Sequence, residues 1–109
     1  MNILITGAGK GIGKAIAEEL GKDNDIFAIG RNEERLKHYK NYFICDLTNN
    51  DGLEKLGKYI KANKIDILIN NAGEYIYSPI EQMSIKQIEH ITKTNFEAPL
   101  YLISQAVPY

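Results

Sequence analysis

Thr6-Gly7-Ala8-Gly9-Lys10-Gly11-Ile12-Gly13 is the stretch whose reading decides the fold. It follows a short apolar run, Ile3-Leu4-Ile5, and opens a segment in which Ile12, Ile16 and Leu20 recur as one stripe of a helix. A glycine-rich turn between strand and helix leaves unpaired N–H groups at the positive end of the helix dipole, and such a place attracts phosphate. Glycine is also the ordinary residue of turns, so the position of the stretch, more than its composition, carries the inference.

The same alternation continues outward. Ile26-Phe27-Ala28-Ile29 is a second apolar run closed by Gly30, and Tyr42-Phe43-Ile44-Cys45 is a third. A fourth, Ile65-Asp66-Ile67-Leu68-Ile69, leads into Asn70-Asn71-Ala72-Gly73. The charged segment 33–37 predicts a helix of about two or three turns. Leu53, Leu56 and Ile60 line one face of another helix, with Lys55, Lys58 and Lys61 on its wet side. Ser84 and Gln87 form a capping box ahead of Ile85, Ile88 and Ile91, which follow at helical spacing. Pro99 falls inside this last helix; its missing donor and its clash one turn back predict a kink near Asn95. Strands alternating with helices at this spacing imply right-handed crossovers and a parallel sheet covered on both faces. The strands are near-continuous apolar runs, as doubly covered strands are. The fold class is α/β, a doubly wound parallel sheet.

The turn itself narrows the ligand. A P-loop requires G-x-x-x-x-G-K-[ST], and here Ala8 and Ala15 stand where its first glycine and its magnesium-binding hydroxyl belong. The common dinucleotide pattern G-x-G-x-x-G, read from Gly7, fails at Ile12. The spacing present is G-x-x-x-G-x-G, through Gly7, Gly11 and Gly13. That spacing resembles the short-chain dehydrogenase/reductase family, whose hallmark here is T-G-x-x-x-G-I-G. Three further matches arrive in order: Cys45-Asp46-Leu47 after the third strand, Asn70-Asn71-Ala72-Gly73 after the fourth, and Asn95 in the following helix. The resemblance covers the whole chain and implies a Rossmann-like NAD(P)-binding domain over residues 1–109, truncated after about four strands. It implies cofactor contacts from Gly7, Gly9, Lys10, Gly11, Ile12, Gly13, Arg31, Asp46, Leu47, Asn71, Ala72 and Gly73. Ligands of open parallel sheets do bind beyond the carboxyl ends of the strands, where Gly7, Arg31, Asp46 and Asn71 fall. Asp46 and Asn71 also suit ordinary turn roles, which are compatible with ligand contacts.

The end of the second strand distinguishes the two nicotinamide cofactors. An acidic residue there binds free ribose hydroxyls, whereas a 2′-phosphate needs cations. Gly30 holds the usual acidic position, Arg31 follows it, and Lys10 offers a second cation from the turn. The resemblance therefore favours NADP(H) over NAD(H), although both side chains also suit a solvated surface.

The family reaction is hydride transfer between nicotinamide and a carbonyl or alcohol, with a Tyr as acid or base and a Lys four residues on. None of the seven tyrosines of this chain is followed by such a lysine. The resemblance places that pair and its Ser beyond the helix in which this chain stops, and it matches 106–109 to the ending of that helix. Of the catalytic set only Asn95 carries over. Two other readings accompany that of an oxidoreductase whose cofactor half lies here: a non-catalytic dinucleotide-binding fragment, and one half of a split enzyme. Without a further strand beside it, the run 65–69 is expected to form an exposed apolar edge, leaving the chain alone marginally stable.

Composition excludes other classes. The chain has 109 residues, 44% hydrophobic and 25% charged, room for one domain and typical of a globular protein. Thirteen basic against fourteen acidic residues give a net charge of −1, which provides no field for nucleic acid or anionic membrane. No apolar run approaches the roughly 20 residues of a membrane span. Cys45 is the single cysteine, in keeping with a reducing cytoplasm, and reads as a small core residue. His38 and His90 fall in helical stretches away from the strand ends, without partners at metal-ligand spacing. The expected partners are a small carbonyl or alcohol substrate and, by family resemblance, further copies of the chain in a homo-oligomer.

Overall fold

The computed structural model describes residues 1–107. Its strands are β1 (Asn2–Thr6), β2 (Asp25–Gly30), β3 (Asn41–Ile44) and β4 (Ile67–Ile69). The helices are α1 (Gly11–Leu20), α2 (Glu33–Leu36), α3 (Asn50–Ala62), α4 (Ile85–Thr92) and α5 (Ala98–Ala106). The strands form one sheet in the order β3-β2-β1-β4, all neighbours parallel. The chain steps from β1 outward to β3, then returns to place β4 on the other side of β1. This reversal opens a crevice between the carboxyl ends of β1 and β4.

Alternating side chains supply a core to each face. Leu4, Phe27 and Ile29 point toward Leu53, Leu56 and Ile60 of α3 and Leu102 of α5. Ile3, Ile5, Ile26 and Ala28 point the other way, toward Ala17 of α1 and Leu36 of α2. Leu4, Ile5, Ile29 and Leu56 are fully buried, and each such side chain stabilises the fold by about 1.5–3 kcal/mol relative to exposure. The doubly wound α/β arrangement expected from the apolar runs is the one observed.

Local details depart from the sequence pattern. Ile12 does not belong to the inward stripe of α1: it is 74% exposed, and the buried positions are Gly13 and Ala17. Small residues bring the helix start down onto the turn, and Ile12, one position earlier, is rotated outward. The segment 33–37 makes a single turn, closed early because Leu36 drops into the core. Strand β4 starts at Ile67: Ile65 packs into the core, while Asp66 pairs with Asn2 through both its backbone and its carboxylate. Ile67 stays 39% exposed along the open edge of the described sheet.

The long final helix is three segments. The Ser84–Gln87 capping box opens α4, as its sequence predicts, although α4 buries none of its residues. The kink near Asn95 is a π-helical turn over Lys93–Glu97, where the Ala98 N–H reaches back to the Lys93 carbonyl. Pro99 then sits in the first turn of α5, where a missing N–H is tolerated. Of the expected helix ending at 106–109, positions 108 and 109 lie outside the described residues.

Among the glycines, the closest approach is at Gly13. A Cβ there would stand 2.2 Å from the Gly7 carbonyl oxygen and 2.4 Å from Asn71 Nδ2. Neither atom can withdraw without opening the turn, so Gly13→Ala is expected to cost roughly 1–3 kcal/mol or more. Urea denaturation would register this as a lowered midpoint at unchanged slope.

Candidate functional site

One hydroxyl joins the two strand ends that frame the crevice. Thr6, 1% exposed, accepts hydrogen bonds at Oγ1 from the backbone N–H groups of Asn71 (3.1 Å) and Ala72 (3.0 Å). Asn71 Nδ2 in turn donates to the carbonyls of Thr6 and Gly7, each at 3.2 Å. The turn after β1 and the loop after β4 are thereby fixed to each other. Gly7 has φ +69°, a conformation in which any side chain would be strained, and a Cβ there would also meet Asn71 Nδ2 at 2.9 Å.

A cleft of about 890 Å³ lies over this junction. Gly7, Gly9, Lys10, Gly11 and Ile12 line it from the turn, Arg31 from the end of β2, and Asp46 and Leu47 from the loop after β3. Asn71, Ala72 and Gly73 complete it from the loop after β4. Gly13 lies behind the turn, which it allows to close. Asn95 likewise stands behind the wall: its Oδ1 accepts from the Glu74 N–H at 2.8 Å and its Nδ2 donates to the Glu74 carbonyl at 2.6 Å. The π-helical turn is what aims this side chain at the loop.

The start of α1 is open. Lys10, its N-cap residue, makes no side-chain cap, and the first turn holds no acidic residue. Asn32, Asn49 and Ser84, by contrast, each cap their own helix. The free N–H groups of α1 face the cleft as a ready anion site. A second unpaired group lies across from it. Thr94 is 5% exposed and lines the cleft, and its Oγ1 has no hydrogen-bond partner among the described residues.

The charges around the cleft are sorted. Lys10, Arg31 and Arg35 all border it, as does Gly30. Arg35 packs close to the turn, 3.2 Å from where a Gly9 Cβ would stand. Its spacing four residues after Arg31 is the signal that would have disclosed it. Asp46 is lowered from its ordinary value, first by the Thr48 backbone N–H (2.9 Å) and then by the Thr48 hydroxyl (2.7 Å), with Arg31 and His90 adding attraction. Both Thr48 bonds use Oδ1, so the turn role of Asp46 leaves Oδ2 available to a ligand. Burial, then Asp46, pushes the Cys45 thiol up to about 11, which suits a core residue and not a reactive one.

His90 corrects the sequence reading. Its Nε2 contacts Glu74 Oε2, and the other oxygen of Glu74 lies 3.5 Å from Arg31. His90 thus meets the loop after β4, and no periodicity in the sequence reports that. Glu74, Thr94 and Tyr75 also line the cleft and carry no motif of their own. Among the described residues no three His, Cys, Asp or Glu side chains group as a metal site, and no helix is long and apolar enough to cross a membrane.

Residues 1–109 match the sequence profile of the short chain dehydrogenase family from end to end. The chain belongs to that family. An uncharacterized oxidoreductase of Staphylococcus aureus is 30% identical over 96% of this chain and 50% of its own length. A short-chain dehydrogenase from Sphingobium yanoikuyae, solved with NADPH, superposes with a TM-score of 0.93 at 28% identity, over 98% of this chain and 47% of that one. A 4-hydroxyisoleucine dehydrogenase, solved with NADH, superposes at 0.87 with 28% identity, over 98% of this chain and 48% of that one. This chain thus spans about half the length of the relatives it matches.

The Asp46–Thr48 turn yields a pH prediction. Because Asp46 is depressed from the ordinary 3.8, its stabilising contribution is complete at neutral pH and lost as acid protonates the folded carboxylate. Asp46→Asn should therefore lower the melting temperature at pH 7 and converge with the parent in acid. Melting curves across that range check it.

Proposed function

We propose that residues 1–109 form the NAD(P)-binding domain of an NADP(H)-dependent oxidoreductase that acts on a carbonyl or alcohol. The observation that carries this reading is the uncapped start of α1 at a cleft that Gly30, Arg31, Lys10 and Arg35 line together. A 2′-phosphate there would meet guanidinium and ammonium groups and no carboxylate from the carboxyl end of β2.

The cleft suits a dinucleotide in several respects. Gly7, Gly9, Gly11 and Ile12 would let a pyrophosphate approach the backbone and the helix start, with Gly13 keeping the turn closed. Asp46 Oδ2 and the backbone of Leu47 would bound the adenine, and the unpaired Thr94 hydroxyl lies in the same wall. Asn71, Ala72 and Gly73 would line the ribose side. Bound nicotinamide supplies or accepts a hydride. Asn95 serves that chemistry as a positioning residue, since both polar atoms of its side chain hold the Glu74 backbone.

The sequence contains no tyrosine with a lysine four residues on, so proton transfer would rest with residues outside these 109. This favours the oxidoreductase reading for a longer protein. For the 109 residues alone it favours a cofactor-binding half, and the open edge at Ile67 offers a place for a complementing strand. We place the protein in the cytoplasm, in keeping with a buried free thiol. We also read it as a homo-oligomer, with exposed Phe96, Leu100 and Ile103 as apolar surface for a second copy.

Fluorescence titration of the intact protein tests the cofactor. NADPH should bind more tightly than NADH, and Arg31→Ala should weaken NADPH about 10- to 100-fold, as loss of a charge-assisted contact does. NADH should change little. Equal affinities for the two, or an unaffected Arg31→Ala variant, would contradict the reading.

A further inference from the structure

The Glu74 carboxylate stands between the His90 imidazole and the Arg31 guanidinium, which come from different elements. Its Oε2 contacts His90 Nε2 of α4, and its Oε1 lies 3.5 Å from an Arg31 terminal nitrogen. The two contacts are unequal. The distance to Arg31 exceeds that of a normal charge-assisted hydrogen bond, about 2.7–2.9 Å, and the Arg31 side chain remains 64% exposed. The contact to His90 is close, and Glu74 itself is only 28% exposed. The carboxylate is therefore drawn toward α4 and holds Arg31 loosely.

We infer that Glu74 is a specificity-determining residue of the cofactor site, competing with the 2′-phosphate for Arg31, and that His90 limits this competition by holding the carboxylate on α4. The inference rests on the proposed role of Arg31. A phosphate arriving at the guanidinium must displace or tolerate a carboxylate already beside it, and like charges at this range repel. An NADH ribose carries no such charge and is indifferent to Glu74. Releasing Glu74 from His90 would let it close on Arg31 and deepen the penalty for the phosphate alone. A carboxylate thus reaches the cation at the end of β2 from the loop after β4, and a histidine sets its reach. Asp46 also feels the charges of Arg31 and His90, but its Oδ1 is committed to Thr48. Asp46 therefore does not replace Glu74 in the pair.

Charge and fold are separable at Glu74. Asn95 holds residue 74 through its backbone N–H and carbonyl, and Glu74→Gln keeps both bonds while removing the charge. The test is titration of NADPH and NADH, at low ionic strength, against the intact protein and four variants: Glu74→Gln, His90→Gln, the double variant, and Arg31→Ala. Glu74→Gln should tighten NADPH about 2- to 5-fold, the range of a partly exposed ion pair. His90→Gln should weaken NADPH about 2- to 3-fold. The double variant should behave as Glu74→Gln, because His90 acts only through the carboxylate. NADH should move by less than the NADPH change throughout, a difference that general loosening of the loop would not produce. An unchanged or weakened NADPH affinity in Glu74→Gln, with Arg31→Ala still impaired, overturns the inference and leaves the cofactor reading intact. An unimpaired Arg31→Ala variant overturns both.

Discussion

The carbonyl oxygen of Gly7 lies where a methyl group on Gly13 would have to be, and the architecture around the cleft depends on that contact. Helix α1 begins against the turn that follows β1, closer than any side chain would permit. Asn71 fills the remaining space from the opposite side and donates to the same carbonyl. Thr6, buried beneath, fixes the loop after β4 by accepting two of its backbone N–H groups. Two crossovers of the doubly wound sheet meet at this point. Displacement of any one of the three would move the α1 N-terminus relative to the strand ends.

Much of this was legible in the sequence because the signals were local or backbone-driven. The apolar runs locate the strands, with one-residue differences at Cys45 and a shorter β4. Ser84 and Gln87 locate the start of α4, and Pro99 places the irregular turn at Asn95. The glycine spacing, together with Asp46, Asn71 and Asn95, identified the family before any contact was known. What escaped was set by orientation between elements. Ile12 looked like a core residue because periodicity carries no phase, and the phase of α1 is fixed by the contact at Gly13. His90 and Glu74 are sixteen residues apart by their numbering and meet because α4 returns beside the loop after β4. Arg35 enters the cleft because α2 stops after one turn and lays its side chain against Gly9.

The cleft carries a charge pattern finer than its motif. Three cations, Lys10, Arg31 and Arg35, line it together with two carboxylates, Asp46 and Glu74, from the loops after β3 and β4. Asp46 has one oxygen in its own loop, and Glu74 is shared between α4 and Arg31. In the proposed NADP(H) site such an arrangement sets how strongly a phosphate is preferred, separately from how the dinucleotide is held. Holding would come from Gly7 to Gly13 and the helix start. Preference would come from the balance at Arg31.

The central claim is that a dinucleotide lies across the carboxyl ends of β1, β2 and β4 with its pyrophosphate at the start of α1. Hydrogen–deuterium exchange of the intact protein, with and without saturating NADPH, tests it most directly. The account predicts slowed exchange at backbone amides of residues 9–13, 31–35, 46–48 and 71–74. Binding of NADPH that left exchange at 9–13 and 71–74 unchanged would contradict it.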